Sequence, residues 1–132
     1  QLMPSTARRF GVTSPGNPEQ QIKGGTRFLK WLYRELPEDI SDHEERIKFV
    51  LASYNIGKGH IMDAYRLAKK YGEDYSKWEV VERYLLRKSQ TKFYRDPVVK
   101  YGYARGRETK KFVKSVYERY QYYTGIIPLD DV

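Results

Sequence analysis

Apolar residues in this chain recur at three- and four-residue spacing and nowhere in sustained alternation, a pattern that leaves room for little besides helices. Ile47, Val50, Leu51 and Tyr54 fall at i, i+3, i+4 and i+7, as do Ile61, Ala64, Tyr65 and Ala68; such spacing puts one helix face into a core. Ile22, Gly25, Leu29, Leu32 and Leu36 predict another buried stripe, with Phe28 and Trp31 on its flanks. Phe112, Val113, Val116, Tyr117 and Tyr120 predict a last helix face opposite Lys110, Lys111, Lys114 and Arg119. Punctuation agrees. Asn17-Pro18 opens a helix running to about Leu36, and a Ser41/Glu44 capping box opens one ending at Asn55. The next ends near Tyr71-Gly72, a Ser76/Glu79 box launches one through Trp78, Val81 and Leu85, and Gly125 and Pro128 stop the last. The fold class is all-α.

The 132 residues suit one compact domain. Thirteen Tyr, five Phe and two Trp make the apolar part aromatic, and rings of this kind bury area while Tyr keeps a polar tip. Cysteine is absent, which excludes thiolate metal sites and disulfides. His43 and His60 do not form a metal pair, so neither a metal nor a cofactor is expected. No stretch has the length of a membrane span. The formal charge of +8 is uneven: residues 1–66 hold 10 basic and 8 acidic groups, residues 67–132 hold 15 and 9. A basic surface draws polyanions, whether nucleic acid, anionic lipid or an acidic cell-wall polymer, and does not choose among them.

Chemistry concentrates at Ala52-Ser53-Tyr54-Asn55-Ile56-Gly57-Lys58-Gly59, where a helix face runs into a ring, an amide and two glycines. Gly57 and Gly59 allow positive φ, so the helix can stop and a ligand can lie against bare backbone. Asn55 can donate and accept at once, which suits a sugar acetamido or hydroxyl group; a plain C-cap of Asn and Gly explains the same residues. Arg87 to Arg107 is a basic, aromatic and irregular stretch whose Tyr101 and Tyr103 can stack on a pyranose face. Among the acids, Glu108 stands out at the mouth of that stretch and the start of the last helix. A first-turn Glu favoured by the helix dipole is the plain alternative.

Four blocks carry a resemblance. Gln1-Leu2-Met3-Pro4-Ser5-Thr6-Ala7 resembles the second half of the G-L-M-Q-L-M-P-x-T-A signature of lytic transglycosylases with the goose-lysozyme-like fold. Asn17-Pro18-Glu19-Gln20-Gln21-Ile22-Lys23-Gly24-Gly25-Thr26-Arg27-Phe28-Leu29 resembles their N-P-E-x-N-I-x-x-G-x-x-Y-L helix, with Gln21 where Asn is usual. Ser53 to His60 is similar to their A-Y-N-x-G-x-G block, and Tyr101 to Thr109 to the ending found in a membrane-bound branch of the family.

The resemblance implies a lysozyme-like domain lacking its N-terminal segment, with residues 1–125 the catalytic-domain fragment and 126–132 a tail. It implies non-hydrolytic cleavage of the bond between N-acetylmuramic acid and N-acetylglucosamine in peptidoglycan. One Glu protonates the leaving oxygen and then takes the proton of the muramyl C6 hydroxyl as a 1,6-anhydro ring closes. By block matching Gln1, Met3, Tyr54, Asn55 and Glu108 contact substrate, while Phe112 replaces a Tyr usual four residues after Glu108. In the family the catalytic Glu precedes the G-L-M-Q signature in an E-S block, so no residue of 1–132 is assigned as catalytic and this chain alone is expected to be inactive. The implied partner is the peptidoglycan glycan strand, not nucleic acid, for a monomer in the bacterial periplasm with peripheral association to the envelope membrane. A non-catalytic peptidoglycan-binding module and a basic nucleic-acid-binding helical domain are the alternative readings.

Overall fold

A computed structural model describes the backbone at residue 9 and over residues 18–126, and side chains at residue 9 and over 24–122. Among the described residues every regular element is a helix. The chain divides into two compact units, Gln1–Leu36 and Pro37–Val132.

The first unit contributes α1, Pro18–Glu35. Burial there follows Gly24, Leu32 and Leu36, with Phe28 half-buried, a row of i, i+4 neighbours. Leu29, expected in the stripe, is exposed: it lies one residue, about 100°, around the helix from that row. Phe28 stacks on Trp31 with centroids 6.2 Å apart, and the Arg9 guanidinium sits 4.3 Å over the Trp31 ring.

The second unit holds α2 His43–Ile56, α3 Lys58–Lys70, α4 Trp78–Arg87, α5 Thr91–Tyr94 and α6 Arg107–Ile126. Helix α2 is its centre, packing on α3, α4 and α6, while α3 packs on α4. With neighbours on several sides, α2 does not bury the single face read from the sequence. Phe49, Val50, Ala52 and Ser53 are buried, whereas Ile47, Leu51 and Tyr54 are half-buried. The α3 and α4 stripes stand as expected, with Ile61, Ala64, Ala68, Trp78, Val81 and Leu85 in the core. On α6 the lysines and Arg119 are exposed and Val113 is buried.

Both capping boxes are corrected. Asp42, not Ser41, caps α2 by accepting the Glu45 N–H at 3.0 Å. Ser76 is instead drawn into a turn on Asp74, donating N–H and hydroxyl to its Oδ1. The N-terminus of α4 is satisfied from a distance: Glu45 Oε1 accepts the Trp78 N–H at 2.6 Å, and Phe49 meets the Trp78 ring edge-on at 5.3 Å. A carboxylate at a helix N-terminus is well placed against the dipole, and this one joins α2 to α4. Tyr117 ties α6 to α2 by donating to Glu44 at 2.6 Å; burial and that bond push its phenol up to about 12. Helix α6 is described as far as Ile126, one residue past Gly125, and Pro128 lies outside the described residues.

Candidate functional site

Helix α2 ends where the glycine requires it. Gly57 adopts φ +105°, its N–H bonds to the Ser53 carbonyl at 2.9 Å, and α3 begins at the next residue. A side chain would be strained at that φ, and the space beside it is open. Gly59 differs from expectation: it lies inside α3, and its bare face is covered by the Tyr101 ring. A Cβ there would meet Tyr101 Cε2 at 2.7 Å and Cδ2 at 2.8 Å. Of these two glycines, Gly57 is the one with open space beside it. Since Tyr101 is 61% exposed, its ring has room to swing. Gly59→Ala is therefore expected to move that ring while changing thermal stability by less than about 1 kcal/mol, as surface substitutions do. Ring-proton chemical shifts of Tyr101 beside a melting curve check it; unchanged shifts would contradict the contact.

Asn55 is exposed at the α2 end, and its Oδ1 accepts the Thr109 hydroxyl at 2.7 Å. Thr109 is 1% exposed and occupies the first turn of α6 next to Glu108. The two sequence-predicted polar residues, 53 positions apart, are thus brought to one place by an intervening residue that sequence reasoning missed. Glu108 is exposed and lines a cleft of about 410 Å³ together with Arg105, Arg107 and Lys111. Tyr54 is half-buried beside Asn55. Tyr101 and Tyr103 stand exposed, 61% and 53%, on either side of Gly102 at φ +68°; Tyr103 packs edge-on to Tyr94 at 5.8 Å. Gln1 and Met3 lie outside the described residues.

Beneath the tyrosine loop is a buried ionic cluster, also unread in the sequence. Asp63 on α3 and Lys88 just after α4 are both 0% exposed and pair at 2.7 Å. Asp63 also accepts the Lys100 N–H at 2.7 Å, the Tyr101 N–H at 2.9 Å and the Arg66 guanidinium. Arg66 donates its Nε–H to the Val98 carbonyl at 2.9 Å. One carboxylate therefore holds the loop that carries Tyr101 against α3. Lys88 Nζ lies 2.7 Å from His60 Nδ1. An ammonium has only protons to give, so Nδ1 accepts and the imidazole proton is on Nε2. A signal existed: Asp63 is four residues before buried Leu67, and Lys88 is four after buried Tyr84, so both fall on core rows.

The charges in this cluster bias the fold toward neutral pH. Burial would raise Asp63, but the Lys88 ammonium and the two backbone N–H groups outweigh it and leave the carboxyl below its ordinary value. Asp96 follows the same balance, with Lys70 at 2.7 Å and the Val98 N–H. His60 is lowered by burial first and Lys88 second, against a smaller pull from Asp63. All three bind protons more readily unfolded than folded, so each makes stability rise with pH. Loss begins as pH falls below about 6.5, where an unfolded imidazole charges, and deepens below about 4 as the carboxylates protonate. Melting temperatures at pH 7.5, 5.5 and 3.5 are expected to descend in that order; a higher value at 5.5 than at 7.5 would refute the sign.

The transglycosylase SLT domain family profile matches residues 1–77. The chain is 43% identical over 120 residues to the membrane-bound lytic murein transglycosylase F of Vibrio cholerae serotype O1, covering 91% of this chain and 22% of that protein. The protein of the same name from Aliivibrio fischeri is 42% identical over 91% of this chain and 24% of its own. That from Aeromonas hydrophila subsp. hydrophila is 39% identical over 130 residues, 98% of this chain and 25% of its own. The chain thus spans about a quarter or less of the length of these relatives.

Proposed function

From its membership of the transglycosylase SLT domain family, we propose that this chain supplies the substrate groove of a peptidoglycan lytic transglycosylase. The observation that carries the reading is the exposed Asn55 amide at the open Gly57 corner, joined through Thr109 to the turn bearing Glu108. An N-acetylated sugar offers amide oxygens and hydroxyls, and this arrangement offers it an amide donor from Asn55 and a carboxylate acceptor from Glu108. The exposed faces of Tyr101 and Tyr103 suit the C–H face of a pyranose. Tyr54 shapes the groove wall, and the family pattern assigns substrate contacts to Gln1 and Met3, which lie outside the described residues.

The reaction breaks the C1–O bond of the muramyl unit without consuming water. A carboxylic acid gives its proton to the departing oxygen, then takes the C6 hydroxyl proton as that oxygen bonds to C1, so atoms and charge balance on one residue. The reading makes that residue the family Glu of the E-S block and leaves residues 1–132 the work of binding and orientation. Its partner is the glycan strand, not nucleic acid, and its place is the periplasmic side of the bacterial envelope, as a monomer associated peripherally with the membrane. No helix among the described residues is long and apolar enough to cross a membrane.

Titration of tri-N-acetylchitotriose tests the groove. Asn55→Ala removes one hydrogen bond to a neutral group, about 0.5–1.5 kcal/mol, or roughly 2- to 13-fold in affinity. Equal affinity in a variant with unchanged circular dichroism would refute the assignment of Asn55.

A further inference from the structure

We propose that Thr109 is a positioning residue that commits the Asn55 amide to act as a donor, so that the site selects a ligand oxygen, such as an acetamido carbonyl, at that point. The inference rests on the reading of Asn55 as a sugar contact and adds the group that aims it.

A threonine hydroxyl carries one proton, and here it is given to Asn55 Oδ1 at 2.7 Å. The amide oxygen is thereby engaged on the protein side, and the NH₂ is turned away from that bond. An exposed Asn without such a partner presents oxygen or nitrogen with similar ease, because rotation about its last bond is nearly two-fold. Thr109 settles which end faces the groove. Its own position is set by the surrounding fold. It is 1% exposed, and it sits in the turn that begins α6, directly after Gly106. Gly106 is buried against α4 so closely that a Cβ there would meet Leu85 Cγ at 2.9 Å and the Leu85 backbone carbon at 3.3 Å. Two residues before that glycine, the Ala104 N–H bonds to the Lys88 carbonyl at 3.3 Å. The hydroxyl therefore projects from a turn pressed on α4 and reaches the end of α2.

A mere tie between α6 and α2 would use any small polar pair and would not care which end of the amide is engaged. The roles separate experimentally. Uniformly ¹⁵N-labelled chain gives the Asn55 side-chain NH₂ pair, which reports amide orientation with no ligand present. Thr109→Val keeps the shape and removes the donor; Thr109→Ser keeps the donor and removes a methyl group. Thr109→Ala repeats the donor loss without the second methyl, should the valine not be accommodated. Expected are a displaced, averaged Asn55 NH₂ pair in Thr109→Val or Thr109→Ala, and a nearly wild-type pair in Thr109→Ser. Titration with tri-N-acetylchitotriose is expected to lose roughly 2- to 13-fold in the donor-less variant, as Asn55→Ala does, with no further loss in the double variant and recovery in Thr109→Ser. An NH₂ pair unmoved by loss of the hydroxyl overturns the inference whatever the sugar does. So does wild-type affinity in Thr109→Val when Asn55→Ala binds weakly. If Asn55→Ala itself binds as wild type while the NH₂ pair moves, the sugar reading of Asn55 has failed, and the hydroxyl orients an amide that no ligand uses.

Discussion

Replacing Lys88 by Met is expected to remove about 3–5 kcal/mol of stability, the cost typical of stranding one partner of a buried ion pair. The ammonium is fully enclosed with Asp63 at 2.7 Å and His60 Nδ1 at 2.7 Å, so no water replaces it. Met fills much of the same volume and leaves Asp63 with Arg66 and the Lys100 and Tyr101 N–H groups. Asp63→Leu is expected to cost more, since it strands the lysine and releases both loop N–H groups together. A domain of this size has about 5–15 kcal/mol in all, so either change brings the fold close to its limit. Urea unfolding measures both. A loss under about 1 kcal/mol for Lys88→Met would mean that the pair contributes no more than an exposed one.

Residues 1–132 are expected to leave sacculi uncut, while the same residues placed behind the family's E-S block are expected to release 1,6-anhydro-muropeptides, a difference of all or nothing. Protonating a glycosidic oxygen calls for a carboxylic acid in a dry setting. Glu108 is exposed to water and shares its cleft with Arg105, Arg107 and Lys111, so it does not offer that setting. On that ground Glu→Gln in the supplied block abolishes product, and Glu108→Gln weakens turnover less. Mass spectrometry of digested sacculi reads both. Anhydro products from residues 1–132 alone, lost in Glu108→Gln, would make Glu108 the acid.

The helices were legible because their periodicity is dictated by short-range geometry, and Gly57 was legible because few residues tolerate its φ. What the sequence concealed was pairing at a distance. A capping box is a local rule, and at α4 it lost to Glu45, 33 positions away; at α2 it lost to the neighbouring Asp42. The buried side of α2 could not be deduced from one stripe, since α3, α4 and α6 all cover it. Asp63 and Lys88 fall on core rows, but their pairing shows only when α3 and α4 are set side by side. The candidate site was half legible: Asn55 and Glu108 stand out by residue type and context, whereas Thr109, which ties them together, looks like any helix-starting threonine. Gly59 reads as an opening and is in fact a seat for Tyr101.

The single residue between α2 and α3 bears on how such a groove can be altered. Helices joined by a single non-helical glycine leave no slack between them: an extra residue at the joint would have to displace α3 from its place. Ile61 would leave the core and Asp63 would swing away from Lys88 and from the backbone of Lys100 and Tyr101. Lengthening is closed to this edge, which can change only by substitution. Residues 95–106, by contrast, form a connector with exposed tyrosines and no helix of its own, which can absorb inserted residues while Asp63 keeps its grip on two of its N–H groups. In this chain room for added length thus lies on the tyrosine side, and the amide side is held at fixed spacing.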